Sequence, residues 1–271
     1  MDINYNEKEQ LEEILKENKL IKNEWYTLML LTKYCCLEHY TEEETWEFIE
    51  EHLKAIIPRY KTLDYKEMIN KCIKTFLNRT NVVLSDVKRI PIYKEEIEFI
   101  EKNVPKESYQ KLAFGFLCYR KILNYAYDKH DTVIPSKYKT IDIFKVSNMT
   151  QMGQQAEDVI CKLINSEILK TMGFYKDSKG ELRINITDNR LEVPYIKFEG
   201  EVAFEVEAKD FENLGLVWLL YKGNKKVKRC ERCGNLIQAK GKERTKYCKE
   251  CAKLVNIEKT LENKKKKSLI C

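Results

Sequence analysis

Four cysteines in the last quarter of the sequence have the residue type and spacing of a metal site. Cys230 and Cys233 form one C-x2-C pair, Cys248 and Cys251 form a second, and fourteen residues separate the two pairs. A C-x2-C turn lets two thiolates reach one tetrahedral ion at about 2.3 Å, so the two pairs together predict a zinc site. Four thiolates close the coordination sphere, and a closed site is structural rather than catalytic.

The residues around these cysteines favour a small folded finger. Gly234 follows the first pair, where a turn needs positive φ and where backbone N–H groups can approach the sulfurs. The second pair leads into a helical pattern, which puts Cys251 in a first helical turn, where the helix dipole favours a thiolate. This arrangement resembles a treble-clef or zinc-ribbon finger. The alternatives are a chance occurrence and a thioredoxin-like redox pair, which requires a βαβ setting that the sequence lacks.

The charge of the chain is divided unevenly. Residues 222–271 contain 17 Lys or Arg and 5 Asp or Glu, a net charge of +12, whereas residues 1–221 contain 32 and 38, a net charge of −6. A basic block on an acidic protein is typical of a nucleic-acid contact, although a solubility tail or a contact with an acidic protein gives a similar pattern. Basic side chains near the cysteines are therefore candidate phosphate contacts, with Tyr247 as a candidate stacking residue. These basic residues are Lys225, Lys226, Lys228, Arg229, Arg232, Lys240, Lys242, Arg244 and Lys246.

The segment from Ile141 to Asp188 predicts a second module. A short helix (Ile143 to Val146), a turn, a second helix starting near Thr150 and two strands around a turn at Asp177 to Gly180 follow one another. This order resembles the winged-helix modules of bacterial and phage DNA-binding proteins, which implies that the second helix lies in the major groove and the wing touches the backbone. The residues that would face the groove are Thr150, Gln151, Gln154 and Gln155, and the wing would offer Lys176, Lys179 and Arg183.

Two features of this module leave a protein contact open as an alternative. Glu157 and Asp158 follow the candidate groove residues closely, and no arginine lies on the presumed recognition helix. Winged helices also serve as protein-interaction modules.

The C-terminal segment resembles a group of uncharacterised proteins from phages and mobile elements of low-GC bacteria. In that group a helix-to-strand lead-in precedes C-x-x-C-G and YC-x-x-C with a basic tail, as in FENLGLVWLLYKGNKKVKRCERCGNLIQ and TKYCKECAK here. The positions that carry over are the four cysteines, Gly234 and Tyr247. The resemblance implies a mobile-element setting and nucleic-acid handling, without a defined activity.

One strand-like segment offers a metal-dependent nuclease as an alternative function. Glu207 and Lys209 form an E-x-K pattern, and Asp188 is a conceivable upstream acid. Many nucleases use two carboxylates to hold Mg²⁺ and a lysine to activate water. The same residues fit an ordinary half-buried strand, because apolar residues alternate with mainly charged ones between Glu201 and Phe211.

Other patterns concern the scaffold and its setting. No phosphate-cradling G-x-x-x-x-G-K-[ST] or G-x-G-x-x-G motif occurs, and the three histidines are dispersed. No segment has about 18 uninterrupted apolar residues and the N-terminus lacks a signal pattern, so we expect a cytoplasmic protein with no membrane contact. An apolar stripe is expected in the core of a long helix, at Leu112, Phe116, Tyr119 and Leu123. Further cysteines within apolar patterns are expected to be reduced core residues: Cys35, Cys36, Cys72, Cys118 and Cys161.

These patterns together predict a mainly α protein with a small β component. We expect a helical domain over residues 1–130, a winged-helix-like α+β module over 131–221, and a basic four-cysteine zinc finger with its tail over 222–271. The predicted function is that of a non-enzymatic nucleic-acid-binding protein of a phage or mobile element, with DNA as the expected ligand. The alternatives are an interaction factor that binds a host or phage protein, such as a host defence component, and the metal-dependent nuclease.

Overall fold

The computed structural model describes residues 3–77, 79, 81–134, 140–150, 154–171, 175–176, 182–183, 191–239 and 245–268. Of these, residues 154, 175–176, 182–183 and 263–268 are described by their backbone alone. In these ranges the chain is mainly helical with small antiparallel sheets, which confirms the predicted fold class at this level. Over the same ranges, no helix combines the length and the apolar character that crossing a membrane requires.

The chain divides into two compact units, and one long helix contributes to both. One unit contains Ile3–Lys88 and Ile122–Lys129, and the other contains Arg89–Lys121 and His130–Cys271. The predicted division into domains 1–130, 131–221 and 222–271 stays a prediction.

The unit that begins at Ile3 is a small helical bundle. Its helices are α1 (Glu7–Glu17), α2 (Glu24–Leu37), α3 (Glu42–Ile56) and α4 (Thr62–Phe76). Apolar residues at three- and four-residue spacing meet in one core, which includes Leu28, Ile49 and Ile69. A capping box starts α3: the Glu44 N–H donates to Thr41 Oγ1 at 3.2 Å, and the Thr41 N–H donates to Glu44 Oε2 at 2.8 Å.

The second unit combines helices with short strands. Its elements in chain order are β1 (Arg89–Tyr93), α5 (Lys94–Asn103), α6 (Glu107–Tyr127), β2 (Val133–Ile134), α7 (Thr140–Val146), α8 (Gln154–Asn165), β3 (Lys170–Thr171), β4 (Tyr175–Lys176), β5 (Leu182–Arg183), β6 (Leu191–Glu192), β7 (Val202–Glu207), a 3-10 helix (Ala208–Asn213), α9 (Leu214–Tyr221), β8 (Val227–Arg229), β9 (Leu236–Gln238) and α10 (Lys249–Ser268). The sheets pair β1 with β7, β4 with β5 and β8 with β9, and a third strand set has the order β2-β6-β3.

The pairing of β1 with β7 supports the second unit. Ile90 lies opposite Val206 and Ile92 lies opposite Phe204, so this proline-containing segment is a sheet strand. Pro91 cannot donate a hydrogen bond, and its carbonyl accepts one from Lys121 Nζ of α6 at 2.8 Å. The apolar stripe of α6 is fully buried, as predicted.

A buried ion pair fixes α5 against α6. Lys121 Nζ lies 2.9 Å from Glu96 Oε2, and both side chains are almost completely buried. The other Glu96 oxygen accepts the Lys197 N–H at 2.7 Å, so the carboxylate is fully engaged. Such a pair specifies which surfaces meet, because leaving either charge alone in the core is costly.

Two glycines allow α6 and α9 to approach the turn that follows α7. A Cβ on Gly115 of α6 would lie 1.9 Å from Ser147 Oγ, and a Cβ on Gly215 of α9 would lie 2.1 Å from the Ser147 carbonyl oxygen. Ser147 is fully buried, and its hydroxyl has no hydrogen-bond partner among the described residues. The two contacts therefore differ. The contact at Gly115 is with a side-chain oxygen, which a substitution of Ser147 can remove, whereas the contact at Gly215 is with a backbone carbonyl, which no substitution removes.

Alanine substitutions should separate these two contacts. We expect Gly115→Ala and Gly215→Ala each to lower the free energy of unfolding by about 1–3 kcal/mol, because both overpack the core. Ser147→Ala should restore Gly115→Ala fully, since helix propensity favours Ala over Gly by up to about 1 kcal/mol. Ser147→Ala should not restore the stability lost in Gly215→Ala, because the backbone carbonyl of residue 147 remains in place. Urea unfolding of the single and double variants measures this, and equal rescue at both positions would contradict the packing described.

Candidate metal centre

The sulfur atoms of the four predicted ligands converge. The Sγ atoms of Cys230, Cys233, Cys248 and Cys251 all lie within 4.8 Å of one another, and those of Cys233 and Cys248 are 3.9 Å apart. A tetrahedral ion with metal–sulfur distances of about 2.3 Å has sulfur–sulfur edges of about 3.8 Å, whereas a disulfide is about 2.05 Å long. The four cysteines are free thiols at the separation that a metal ion requires. The four predicted ligands are therefore confirmed as a group able to hold a metal ion.

The first pair lies in the turn of a β-hairpin. β8 and β9 pair antiparallel, with Arg229 opposite Leu236. The turn is closed by the Gly234 N–H, which donates to the Cys230 carbonyl at 2.9 Å, and by the Cys230 N–H, which donates to the Asn235 carbonyl at 2.8 Å. Gly234 has φ of +73°, as predicted from its position after the cysteine pair.

The second pair lies at the start of α10. Cys248 precedes the helix and Cys251 is in its first turn, as predicted. The segment before it is tied to the hairpin, because the Glu231 N–H donates to the Lys246 carbonyl at 3.0 Å. The hairpin turn and the segment that begins α10, which are distant in sequence, are thus held together at the four cysteines.

Backbone N–H groups face the sulfurs and prepare them to bind a cation. The Cys248 N–H donates to Cys230 Sγ at 3.3 Å, and the Cys251 N–H donates to Cys248 Sγ at 3.4 Å. Hydrogen bonds from backbone N–H groups, first that of Cys233, lower the pKa of Cys230 to about 6. Burial raises the pKa of Cys251 to about 12, so a metal ion must displace its proton.

Two arginines hold the hairpin turn from opposite sides. Arg229 makes a bidentate pair with Asp210, at 3.2 Å and 2.7 Å, and donates to the Gly234 carbonyl at 3.0 Å. Arg232 makes a bidentate pair with Glu258 of α10, at 2.9 Å and 2.8 Å. Both were predicted as phosphate contacts, and both are engaged with carboxylates. Sequence analysis missed Asp210 and Glu258, because no local spacing indicates a partner 19 or 26 residues away.

The other predicted basic contacts lie at several places around the centre. Lys225 and Lys226 are exposed on the turn before β8, and Lys228 is half-buried on that strand. Lys246 is exposed, 3.4 Å from Glu231, and Tyr247 is half-buried. The remaining members of the set, Lys240, Lys242 and Arg244, lie outside the described residues.

The predicted groove residues are only partly described. Thr150 and Gln155 are exposed on either side of the start of α8, and Gln154 begins that helix. Gln151 falls outside the described ranges, as does Lys179 of the predicted wing. The strands β4 and β5, which carry Lys176 and Arg183, pair antiparallel as expected for the two strands of that wing.

The E-x-K residues do not form a metal site in the part of the chain that is described. Lys209 pairs with Glu207 at 2.5 Å on the surface, and that pairing lowers the pKa of Glu207. Lys209 lies in the 3-10 helix rather than in β7, and Asp188 is not among the described residues. Within the described ranges, the four cysteines are the one group of three or more candidate ligands close enough to share an ion.

Comparison of the chain with models of known protein families, with curated protein sequences and with solved structures gave no match. Functional inference for this chain therefore depends on the chemistry of its own residues.

The two arginine pairs should contribute unequally to the free energy of unfolding. Asp210 is only 2% exposed, so Arg229→Gln leaves a buried carboxylate without its cation and should cost about 1–3 kcal/mol. Arg232→Gln removes a pair between exposed side chains that solvent screens, and should cost much less. Chemical unfolding of the zinc-loaded protein measures both. Adding Asp210→Asn to Arg229→Gln should recover part of the loss, and an equal cost for the two arginines would contradict this assignment.

Proposed function

We propose that this chain binds nucleic acid, with DNA as the expected ligand, through a basic surface that a zinc-loaded four-cysteine centre holds in place. The observation that carries the proposal is the convergence of four thiols beneath a hairpin whose lead-in turn exposes Lys225 and Lys226. This hairpin belongs to the segment of net charge +12, whose density of lysine and arginine suits a phosphate backbone. The role is non-enzymatic, because a metal with four thiolate ligands has no open position for a substrate.

Zinc is the ion that best suits this ligand set. Tetrahedral four-sulfur sites favour zinc or iron, and in two C-x2-C pairs next to a hairpin and a helix zinc is the usual structural ion. The residues Cys230, Cys233, Cys248 and Cys251 would hold it. The ion would neutralise the thiolates and fix the hairpin against α10.

The arginines support this surface indirectly. Because Arg229 is engaged with Asp210 and Arg232 with Glu258, their charges are largely committed within the protein. Phosphate contact is therefore assigned first to lysines, above all Lys225 and Lys226. The arginines position the turn that these lysines precede.

The middle of the second unit supports a further DNA contact of winged-helix type. Strand β2, helices α7 and α8, strand β3, the β4–β5 hairpin and strand β6 follow one another, and the sheet order β2-β6-β3 brings the last strand between the first two. This is the order of elements in a winged helix. Thr150 and Gln155 are exposed at the end of α8 that would meet base edges. A phage or mobile-element setting is part of the proposal through the C-terminal resemblance alone.

A second candidate function is contact with a protein partner. The observation that favours it is an apolar stripe on α10, formed by Leu254, Ile257 and Leu261, each about half exposed. Spacings of three and four place these side chains on one helical face, as in helices that dock on a partner. In the nuclease alternative, by contrast, Glu207 and Lys209 are already paired with each other at the surface.

Lysine substitutions test the nucleic-acid function. Removing Lys225 and Lys226 together as glutamines should weaken binding of a DNA duplex at low salt. The dependence of log K on log salt should become shallower by about one to two, because each phosphate contact contributes about 0.9 to that slope. Fluorescence anisotropy with the full chain at several salt concentrations measures this.

The matched control removes the same charge elsewhere in the same unit. Lys94→Gln with Lys209→Gln deletes two exposed lysines that pair with Glu201 and Glu207, and should leave the salt slope unchanged. Absence of DNA binding by the wild-type chain at about 50 mM salt, or an equal effect of the two double variants, would overturn the proposal. Binding to a protein partner that requires Ile257 but neither lysine would favour the second candidate.

A further inference from the structure

A layered set of aromatic rings leads from the core of the second unit to its surface. Phe114 is fully buried, the ring of Phe204 lies 6.0 Å from it, and the ring of Tyr221 stacks on Phe204 at 4.8 Å with an interplanar angle of 25°. Trp218, one turn earlier on α9, lies 6.1 Å from Tyr221. Tyr221 is nonetheless 45% exposed. The ring is thus packed on Phe204, and nearly half of the side chain is open to solvent.

The chain after Tyr221 turns sharply and carries positive charge. The Asn224 N–H donates to the Leu219 carbonyl at 2.9 Å, the Gly223 N–H donates to the Leu220 carbonyl at 3.0 Å, and Gly223 has φ of +71°. These bonds form a Schellman motif, which ends a helix with a fixed reversal of the backbone. The motif brings Lys225 and Lys226 close to the end of α9.

The turn is also anchored on the hairpin formed by β8 and β9. The Lys226 N–H donates to Asn224 Oδ1 at 3.0 Å, and the Lys226 carbonyl accepts the Ala239 N–H at 2.7 Å. The acidic side chain Glu101, which faces this turn, is neutralised by Lys222 at 2.6 Å. Two exposed lysines, Lys225 and Lys226, therefore follow Tyr221 on a turn whose backbone is fixed, and the ring itself is held against Phe204.

A fixed aromatic ring beside lysines is the arrangement that single-stranded nucleic acids bind. An unpaired base can stack on the open face of such a ring while its phosphates meet the lysines, and stacking contributes about 1–3 kcal/mol per base. Bases inside a duplex are already stacked on their neighbours and cannot do this without being extruded. A tyrosine that only covers the core would need no such basic surroundings.

We infer that Tyr221 is a stacking platform for an unpaired base, and that the surface formed by Tyr221, Lys225 and Lys226 binds single-stranded nucleic acid. This inference rests on the proposed nucleic-acid function and names the form of the ligand.

Replacement of the ring tests the inference. Tyr221→Leu keeps an apolar cover over Phe204 but removes the stacking face, and should weaken binding of an oligothymidine strand about 5- to 100-fold. Tyr221→Phe should bind within about twofold of wild type, because it retains the ring. Duplex affinity should be unchanged in both variants. Tyr125→Leu, which changes an equally exposed tyrosine of the helical unit, is the matched control and should have no effect.

A second measurement uses the unmodified chain and so does not depend on how the variants fold. Photocrosslinking to a single strand containing 5-iododeoxyuridine, followed by peptide mass spectrometry, should label Tyr221. Unchanged single-strand affinity of Tyr221→Leu, or labelling at other residues only, overturns the inference. If the lysine pair still controls binding in that case, the proposed function stands; if no nucleic acid binds, both fail.

Discussion

Four thiols within 4.8 Å of one another impose the constraint on which the C-terminal part of this protein depends. If they are deprotonated without a cation, their charges repel at distances near 4 Å. Among the described residues of the hairpin, Val227, Leu236 and Ala239 are the buried apolar side chains that oppose this, while α10 leaves its own apolar stripe exposed. A metal ion bound by these thiols would take the place of a hydrophobic core, as it does in other segments too small to bury one.

An ion pair links this centre to the rest of the second unit. Arg229 joins the hairpin turn to buried Asp210, at the start of the short helical stretch that leads into α9. The same α9 ends in Tyr221, whose ring lies against Phe204 of β7. The cysteine group, the turn with Lys225 and Lys226, and the Tyr221 ring are thus connected through the hairpin and α9, and the proposed contact with nucleic acid relies on this connection.

Local features were predictable from sequence, and long-range partners were not. The ligand set, the positive φ of Gly234 and the capping box at Thr41 each depend on residues a few positions apart, so spacing alone predicts them. The pairing of β1 with β7 joins residues more than a hundred positions apart, and period-two alternation does not specify the partner strand. For the same reason the sequence predicts Arg229 as a phosphate contact and does not reveal its pairing with Asp210. The winged-helix assignment and the nucleic-acid contacts stay predictions.

X-ray absorption at the zinc edge, combined with native mass spectrometry of the full chain, tests the central claim most directly. The account predicts one zinc ion per chain, with a first shell of four sulfur atoms at about 2.3 Å and no lighter scatterer. It also predicts that Cys233→Ser loses the ion, whereas Cys36→Ser, which changes a half-buried cysteine of the helical unit, keeps it. A chain that carries no zinc, or a first shell containing nitrogen or oxygen, would contradict the account.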